Sequence, residues 1–176
     1  MNKLLYSATM SLDGFIAGPG GDMSWLADVG SLDVDVDGLM AQVGALLVGR
    51  RTFDGDDPNA GTDAAGAFGG RWEGHSVVLT HRPPDSSPPG VTFATDLEEA
   101  VRTAKAAAGG KYVNVLGADV ARQCLAAGLL DEVLVFVAPV LLGDGTRLFA
   151  EPGGARVALE PLPGRTRDGL WYRVVA

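Results

Sequence analysis

Two apolar strands that end on glycine and run straight into helices carry the residues most able to do chemistry. The first is Ala45-Leu46-Leu47-Val48-Gly49-Arg50-Arg51-Thr52, which delivers two arginines and a hydroxyl to a turn. The second is Tyr112-Val113-Asn114-Val115-Leu116-Gly117-Ala118-Asp119-Val120, followed by a helical run. A helix start presents unpaired N–H groups and a partial positive charge, so it suits phosphate. In open α/β sheets such turns stand at the carboxyl ends of strands, where ligands bind. Two of them, one bearing arginines, predict a dinucleotide cofactor rather than a lone small anion. His81-Arg82, after the short strand 76–80, is a second cationic doublet. An ordinary pair of basic residues is a solvated surface feature, and only the strand-end position argues otherwise.

The bulk numbers narrow the partners. The chain has 176 residues and a formal net charge of −8, with only 14 Lys and Arg. Nucleic acid is disfavoured, because phosphate backbones demand many cationic contacts. An anionic cofactor must then be held by local positive charge against the overall field. No uncharged apolar run reaches the ~18 residues of a membrane span. The first residues enter a strand without a secretory pattern, and the lone cysteine, Cys124, forbids an intrachain disulfide, so a cytoplasmic protein is expected. The length suits a single domain over 1–176.

The elements that must position those turns follow from periodicity. Strands are expected at 3–9 and 12–17, separated by Ser11-Leu12-Asp13-Gly14, with a mobile loop at Gly18 to Asp22 and Trp25 just beyond it. A helix is expected over 33–44, its start favoured by Asp33, Asp35 and Asp37, and a strand over 45–49. Residues 55–71, rich in Gly, Ala and Asp, read as loop with a short helix. Strands at 76–80 and 91–93 flank a proline-rich connector. Asp96 caps a helix over 97–108, which ends at Gly109-Gly110. The strand 112–117 leads to a helix over 119–127, and Val133 to Ala138 is apolar throughout, as in a sheet centre covered on both faces. Late strands at 157–159 and 170–175, antiparallel, close a three-layer α/β arrangement. The apolar run Leu170 to Val175 could supply the edge of a homodimer.

Six segments in order resemble the dihydrofolate reductase-like family, closest to the reductase domain of bacterial riboflavin biosynthesis proteins and its stand-alone relatives. They are Ser11 to Ala17, Leu47 to Phe53, Val78-Leu79-Thr80, Val115-Leu116-Gly117-Ala118, Gly128 to Val133 and Pro139 to Gly145. The resemblance implies a mixed, mostly parallel eight-stranded sheet flanked by helices. It also implies an oxidoreductase that binds NADPH and passes hydride to a small planar nitrogen heterocycle, pterin- or aminouracil-like, or to a related conjugated carbonyl. The alternatives are the 5-amino-6-(5-phosphoribosylamino)uracil reductase itself and a non-catalytic NADPH-binding module. Ala8, Ile16 and Ala17 would lie beside the nicotinamide. Gly49, Arg50, Arg51 and Thr52 would hold phosphates, Thr80, His81 and Arg82 would surround the 2′-phosphate, and Gly117, Ala118, Asp119, Val120 and Ala121 would cradle the pyrophosphate.

The chain departs from the family pattern at three places. Ala118 stands where a second glycine is common, which narrows the backbone choice near a phosphate. Val115 stands where the riboflavin enzymes usually carry a substrate-binding Glu, which argues against that substrate. Dihydrofolate reductases place an acid shortly after a Trp, and beyond Trp25 the chain has Gly30, with Asp28 and Asp33 as the nearest acids. Asp13 is the candidate catalytic residue, because a carboxyl beside the nicotinamide can relay the proton that accompanies hydride; as a turn residue before Gly14 it would be purely structural. Trp25 and Phe53 are candidate substrate contacts; an apolar lid over the core is an equal reading of Trp25, and core packing is the plainer reading of Phe53. Two histidines and one cysteine make no metal constellation. Asp131-Glu132 reads as a cap or pairing at a strand start, and Cys124 as inert core.

Overall fold

The computed structural model describes residues 2–29, 35–55, 63, 66–163 and 169–175. Strand β1 (Leu4–Ser11) alternates its side chains across a sheet whose two faces are both covered. Leu4 and Tyr6 enter one core together with Leu47, Val77, Val113, Val115, Val133 and Val135. Leu5 enters a second, with Leu46, Val48, Leu134, Phe136 and Trp171. Both sets follow the two-residue period of extended chain. That double burial is why β3 (Val43–Gly49), β6 (Tyr112–Leu116) and β7 (Glu132–Ala138) read as nearly unbroken apolar runs.

The remaining strands of the large sheet are β4 (His75–Leu79), β5 (Val91–Ala94), β9 (Ala158–Pro161) and β10 (Gly169–Val175). Their order is β5-β4-β3-β6-β1-β7-β10-β9. All neighbouring pairs are parallel except β7 with β10 and β10 with β9. The expected mixed, mostly parallel eight-stranded sheet is therefore present. The short β2 (Phe15–Ala17) pairs outside it with β8 (Thr146–Arg147). Because β10 is bonded on both sides, Leu170 to Val175 offers no free edge for a dimer, contrary to expectation; the outer strand is β9.

Helices close the layers. α4 (Leu97–Ala107) and α5 (Ala118–Ala126) press Ala100, Val101, Ala104, Val120, Ala121 and Cys124 onto the first core. The Asp96 carboxylate accepts the Glu99 N–H at 2.9 Å and so caps α4 as its sequence predicts. Burial pushes the Cys124 thiol up to about 12, which leaves it an inert core group. On the other face, α2 (Val36–Gln42) buries Leu39 in the second core. α2 is capped by Asp35, and β3 already begins at Val43, two residues before the expected strand start, because Val43 is buried and pairs with Tyr112. The proposed helix start at Asp33 lies outside the described residues, as do Gly30 and most of 55–71. Of that segment, Ala67 and Phe68 pack onto the α2-side core. The helices α1 (Trp25–Asp28) and α3 (Arg50–Asp54) complete the chain. Gly18 to Asp22 is a tight 3-10 turn rather than a featureless loop, closed by the Gly18 N–H on the Asp22 carbonyl at 2.8 Å.

Asp131 and Glu132 sit at the amino ends of the strands. Glu132 is fully buried and accepts from Lys3 Nζ at 2.7 Å, Tyr112 Oη at 2.8 Å and Trp171 Nε1 at 2.8 Å. Asp131 accepts the Leu4 N–H at 2.8 Å. This is the expected structural use of the pair, at the edge of the sheet opposite the glycine turns.

Candidate active site

The carboxyl ends of β4, β3, β6 and β1 form one rim. Val48 pairs with Leu116, so Gly49 and Gly117 leave the sheet side by side and α3 and α5 start next to each other. Gly117 has φ +98°, a backbone that L side chains rarely adopt. A Cβ on it would stand 2.5 Å from Thr52 Oγ1. Only glycine allows the two turns to close on each other. The Ala118 methyl raises no such difficulty, because Ala118 is already the first residue of α5.

The N–H groups at the α5 start have no side-chain cap. Ala121 is not one of the free donors, since its N–H goes to the Gly117 carbonyl at 3.1 Å and its side chain is buried. The cradle therefore consists of Ala118, Asp119 and Val120. Burial works to raise the Asp119 carboxyl, but hydrogen bonds from Arg122 and Gln123 and the charges of Arg122 and Arg51 outweigh it and hold it low.

The arginine doublet divides. Arg50 pairs with Asp54 and places its guanidinium 5.6 Å from the centre of the Phe93 ring on β5, whereas Arg51 acts on Asp119 of α5. Successive helical residues point about 100° apart, so one doublet serves two ends of the rim. At the β4 end Thr80 is buried and its hydroxyl accepts the Arg82 N–H at 3.2 Å, while His81 and Arg82 are exposed. Phe53 stands edge-to-face on Phe93 at this outer end, with centroids 5.7 Å apart. Trp25 is buried as well, and its indole N–H has no acceptor.

The crevice itself lies between β1 and β6. These strands pair only from Leu4↔Val113 to Tyr6↔Val115, whereas β1 continues beside β7 as far as Ser11↔Ala138. Beyond Tyr6↔Val115 the two strands part: β6 ends at Leu116 and turns into α5, whereas β1 runs on beside β7, and such a parting opens ligand sites in α/β sheets. Ala8 faces the α5 side. Ser7, Asn114 and Leu116 face the α2 side. Val115 is fully buried in the opposite core, so its lack of a carboxyl bears on no substrate; its neighbour on the crevice side, Leu116, is apolar too.

Ser7 and Asn114 are absent from the sequence-based site. Asn114 is fully buried, its Oδ1 accepts the Ser7 hydroxyl at 2.8 Å, and its Nδ2 has no partner. An unpaired buried amide end costs about 1–3 kcal/mol. The signal was a single polar residue inside Tyr112-Val113-Asn114-Val115-Leu116.

Asp13 is held by hydrogen bonds from both sides of its turn. Its Oδ1 accepts the Ser11 hydroxyl at 2.6 Å and the Leu142 N–H at 3.1 Å, and its Oδ2 accepts the Gly143 N–H at 2.7 Å. The Ser11 bond, followed by those amides, lowers its pKa to about 2, so it holds no proton to deliver near neutrality. It ties the β1–β2 turn to the 139–145 loop. That loop returns against Ala17, where Gly145, at φ +134°, is the residue that avoids a collision with the Ala17 carbonyl. Asp13→Asn is expected to lower the melting temperature while the acid limb of any pH–rate profile stays where it is. Disappearance of that limb would restore the proton relay. Because the folded pKa is depressed, this contribution to stability is present above the unfolded value of 3.8 and is lost as pH falls through about 2.

Strand order and layers are those of the dihydrofolate reductase-like α/β fold. The family model described as RibD C-terminal domain matches residues 2–163. The chain belongs to the RibD C-terminal domain family. Among solved structures, a candidate riboflavin biosynthesis protein of Shewanella sp. PV-4 superposes with TM-score 0.70 at 23% identity, over 99% of each chain. A diaminohydroxyphosphoribosylaminopyrimidine deaminase/5-amino-6-(5-phosphoribosylamino)uracil reductase of Thermotoga maritima gives 0.58 at 18% identity, over 98% of this chain and 56% of that one. Dihydrofolate reductase of Enterococcus faecalis, complexed with NADP(H), gives 0.57 at 16% identity, over 98% and 94%. No curated protein matches in sequence.

Proposed function

We propose that this protein is an NADPH-dependent reductase of a small planar nitrogen heterocycle. The observation that carries the reading is the closure of the Gly49 and Gly117 turns on each other, with cations at both ends of the rim. The donor set fits a dinucleotide phosphate: N–H groups of Ala118 to Val120 beside Thr52 and Arg51 for the pyrophosphate, and Arg82 with Arg50 for a 2′-phosphate. An enzyme whose overall charge is negative needs these cations at the rim. Bound along it, the cofactor would supply hydride to a substrate carbon.

The chain's own contribution is placement. Ala8 and the β2 residues Ile16 and Ala17 would wall the nicotinamide end, with Ala17 buried and held by the Gly145 contact. On this reading the cofactor would lie on the α5 side of the crevice and the substrate on the α2 side, so the reacting groups would meet where β1 and β6 part. Leu116 offers apolar surface there, which helps exclude water. The structural resemblance to reductases that act on an aminouracil or are complexed with NADP(H) supports this choice of chemistry.

Calorimetric titration tests the reading. Micromolar binding of NADPH is expected, with NADH much weaker. Arg82→Ala should weaken NADPH by about tenfold or more, the loss of a charge-assisted hydrogen bond at about 1.5–3 kcal/mol, and should leave NADH unchanged. Absence of binding to either nucleotide would sink the proposal.

A further inference from the structure

The Ser7–Asn114 couple is not explained by the fold. Asn114 stands in the central strand of the sheet, level with Leu5 on β1 and Leu46 on β3, and it faces the apolar α2-side core. A leucine would suit that position better than an amide. The hydrogen bond with Ser7 uses one end of the amide and leaves the other with nothing. Turning the amide over only exchanges the ends, since Ser7 can donate or accept. A buried polar group that works against its own core marks a site whose partner is elsewhere.

Its position shows where that partner would come from. Ser7 is the first β1 residue beyond the last β1–β6 pair, Tyr6↔Val115, and its side chain is half-buried. The couple thus lies on the substrate side of the crevice, on the face opposite the α5 cradle. The Ser7 hydroxyl gives its proton to Asn114 Oδ1, so its lone pairs are left for an incoming N–H. Beside them, Asn114 Nδ2 is a donor that lacks an acceptor. An acceptor and a donor side by side match a lactam edge, a ring N–H next to a carbonyl.

We infer that Ser7 and Asn114 form the recognition element for a lactam edge of the substrate heterocycle. Ser7 touches the ring N–H, and Asn114 positions that hydroxyl and receives the carbonyl at Nδ2. This assignment rests on the reductase reading above and names the part of the substrate which the crevice distinguishes. Ring systems without an N–H beside a carbonyl are discriminated against because they leave both groups unpaired.

The probe is lumazine, which carries lactam edges, against 1,3-dimethyllumazine, whose ring nitrogens are methylated. Binding to the full chain is measured by calorimetry, without and with NADPH. Wild type is expected to bind lumazine about tenfold or more tightly than the dimethyl compound, the worth of one or two hydrogen bonds. Ser7→Ala and Asn114→Leu should each erase that preference. Asn114→Leu should melt no lower than wild type, which separates lost recognition from lost folding, and Ser7→Ala, at a half-buried position, gives a second route. Both variants should bind NADPH as wild type does, so failure of the cofactor titration in wild type would count against the reductase reading and not against this couple. Equal binding of the two lumazines by wild type, no binding of lumazine, or an undiminished preference in Asn114→Leu would each overturn the inference.

Discussion

Gly117→Ala is expected to weaken NADPH binding about hundredfold, equivalent to losing one or two charge-assisted hydrogen bonds at about 1.5–3 kcal/mol each. Two effects act together. The backbone at φ +98° is strained for any residue with a Cβ, at about 1–3 kcal/mol. The new methyl would also stand 2.5 Å from Thr52 Oγ1, so the Thr52 hydroxyl must turn away or α3 and α5 must separate. A phosphate site made of two helix starts depends on their spacing, and a displacement of about 1 Å suffices to lose much of its strength. A double-mutant cycle with Thr52→Ala separates the two effects. Removing the hydroxyl should relieve the collision and restore part of the affinity, while the backbone strain remains. If Gly117→Ala binds NADPH like wild type, the phosphates are not held at this junction.

The second large effect lies at the other end of the strands. Glu132→Ala is expected to destabilise the fold by about 3–5 kcal/mol, as breaking a buried charged network does, and to lower the melting temperature by roughly 10 °C. The Lys3 ammonium is partly exposed and can turn to water, but Tyr112 and Trp171 would each lose a carboxylate acceptor held at 2.8 Å. Glu132→Gln keeps the shape and one acceptor and should lose less. Burial raises the Glu132 pKa, and the hydrogen bonds from Lys3, Tyr112 and Trp171 together with the Lys3 charge more than offset it, leaving it below its ordinary value of 4.5. Its stabilisation is accordingly present above pH 4.5 and disappears as pH falls through the folded value. Melting curves across that window should converge for wild type and Glu132→Gln at the acid end. Because Glu132 lies at the amino ends of the strands, the folded fraction should bind NADPH unchanged; a loss of affinity without a loss of stability would contradict a structural role.

These two residues were legible to different degrees. Gly117 announced itself through a strand that ends on glycine before a helix, a local pattern that needs no partner to be read. What the pattern could not show is that Thr52, far away in sequence, is the atom that forbids a side chain there. Glu132 was correctly read as a pairing acid at a strand start, yet Lys3 comes from the segment before β1, Tyr112 from β6 and Trp171 from β10, and no spacing in the chain links them. Asp13 shows the reverse case. Its Ser-x-Asp-Gly setting allowed both a proton relay and a turn, and the contacts that hold the turn, from the amides of Leu142 and Gly143, come from a distant loop.

The sequence by itself determined the elements and the layers, because hydrophobic period, capping residues and glycine turns act within a few positions of one another. It located both phosphate-type turns and the antiparallel nature of the last strands for the same reason. Only the tertiary structure decided which way side chains face and whom they meet. It sends Arg50 to Phe93 and Arg51 to Asp119, buries Val115 in the α5-side core, sets Phe53 against Phe93, closes β10 on both edges, and brings Ser7 to Asn114 on the neighbouring strand. Such contacts depend on strand register and order, where a shift of one residue exchanges the two faces of the sheet, and that choice is made by the packing of the whole chain.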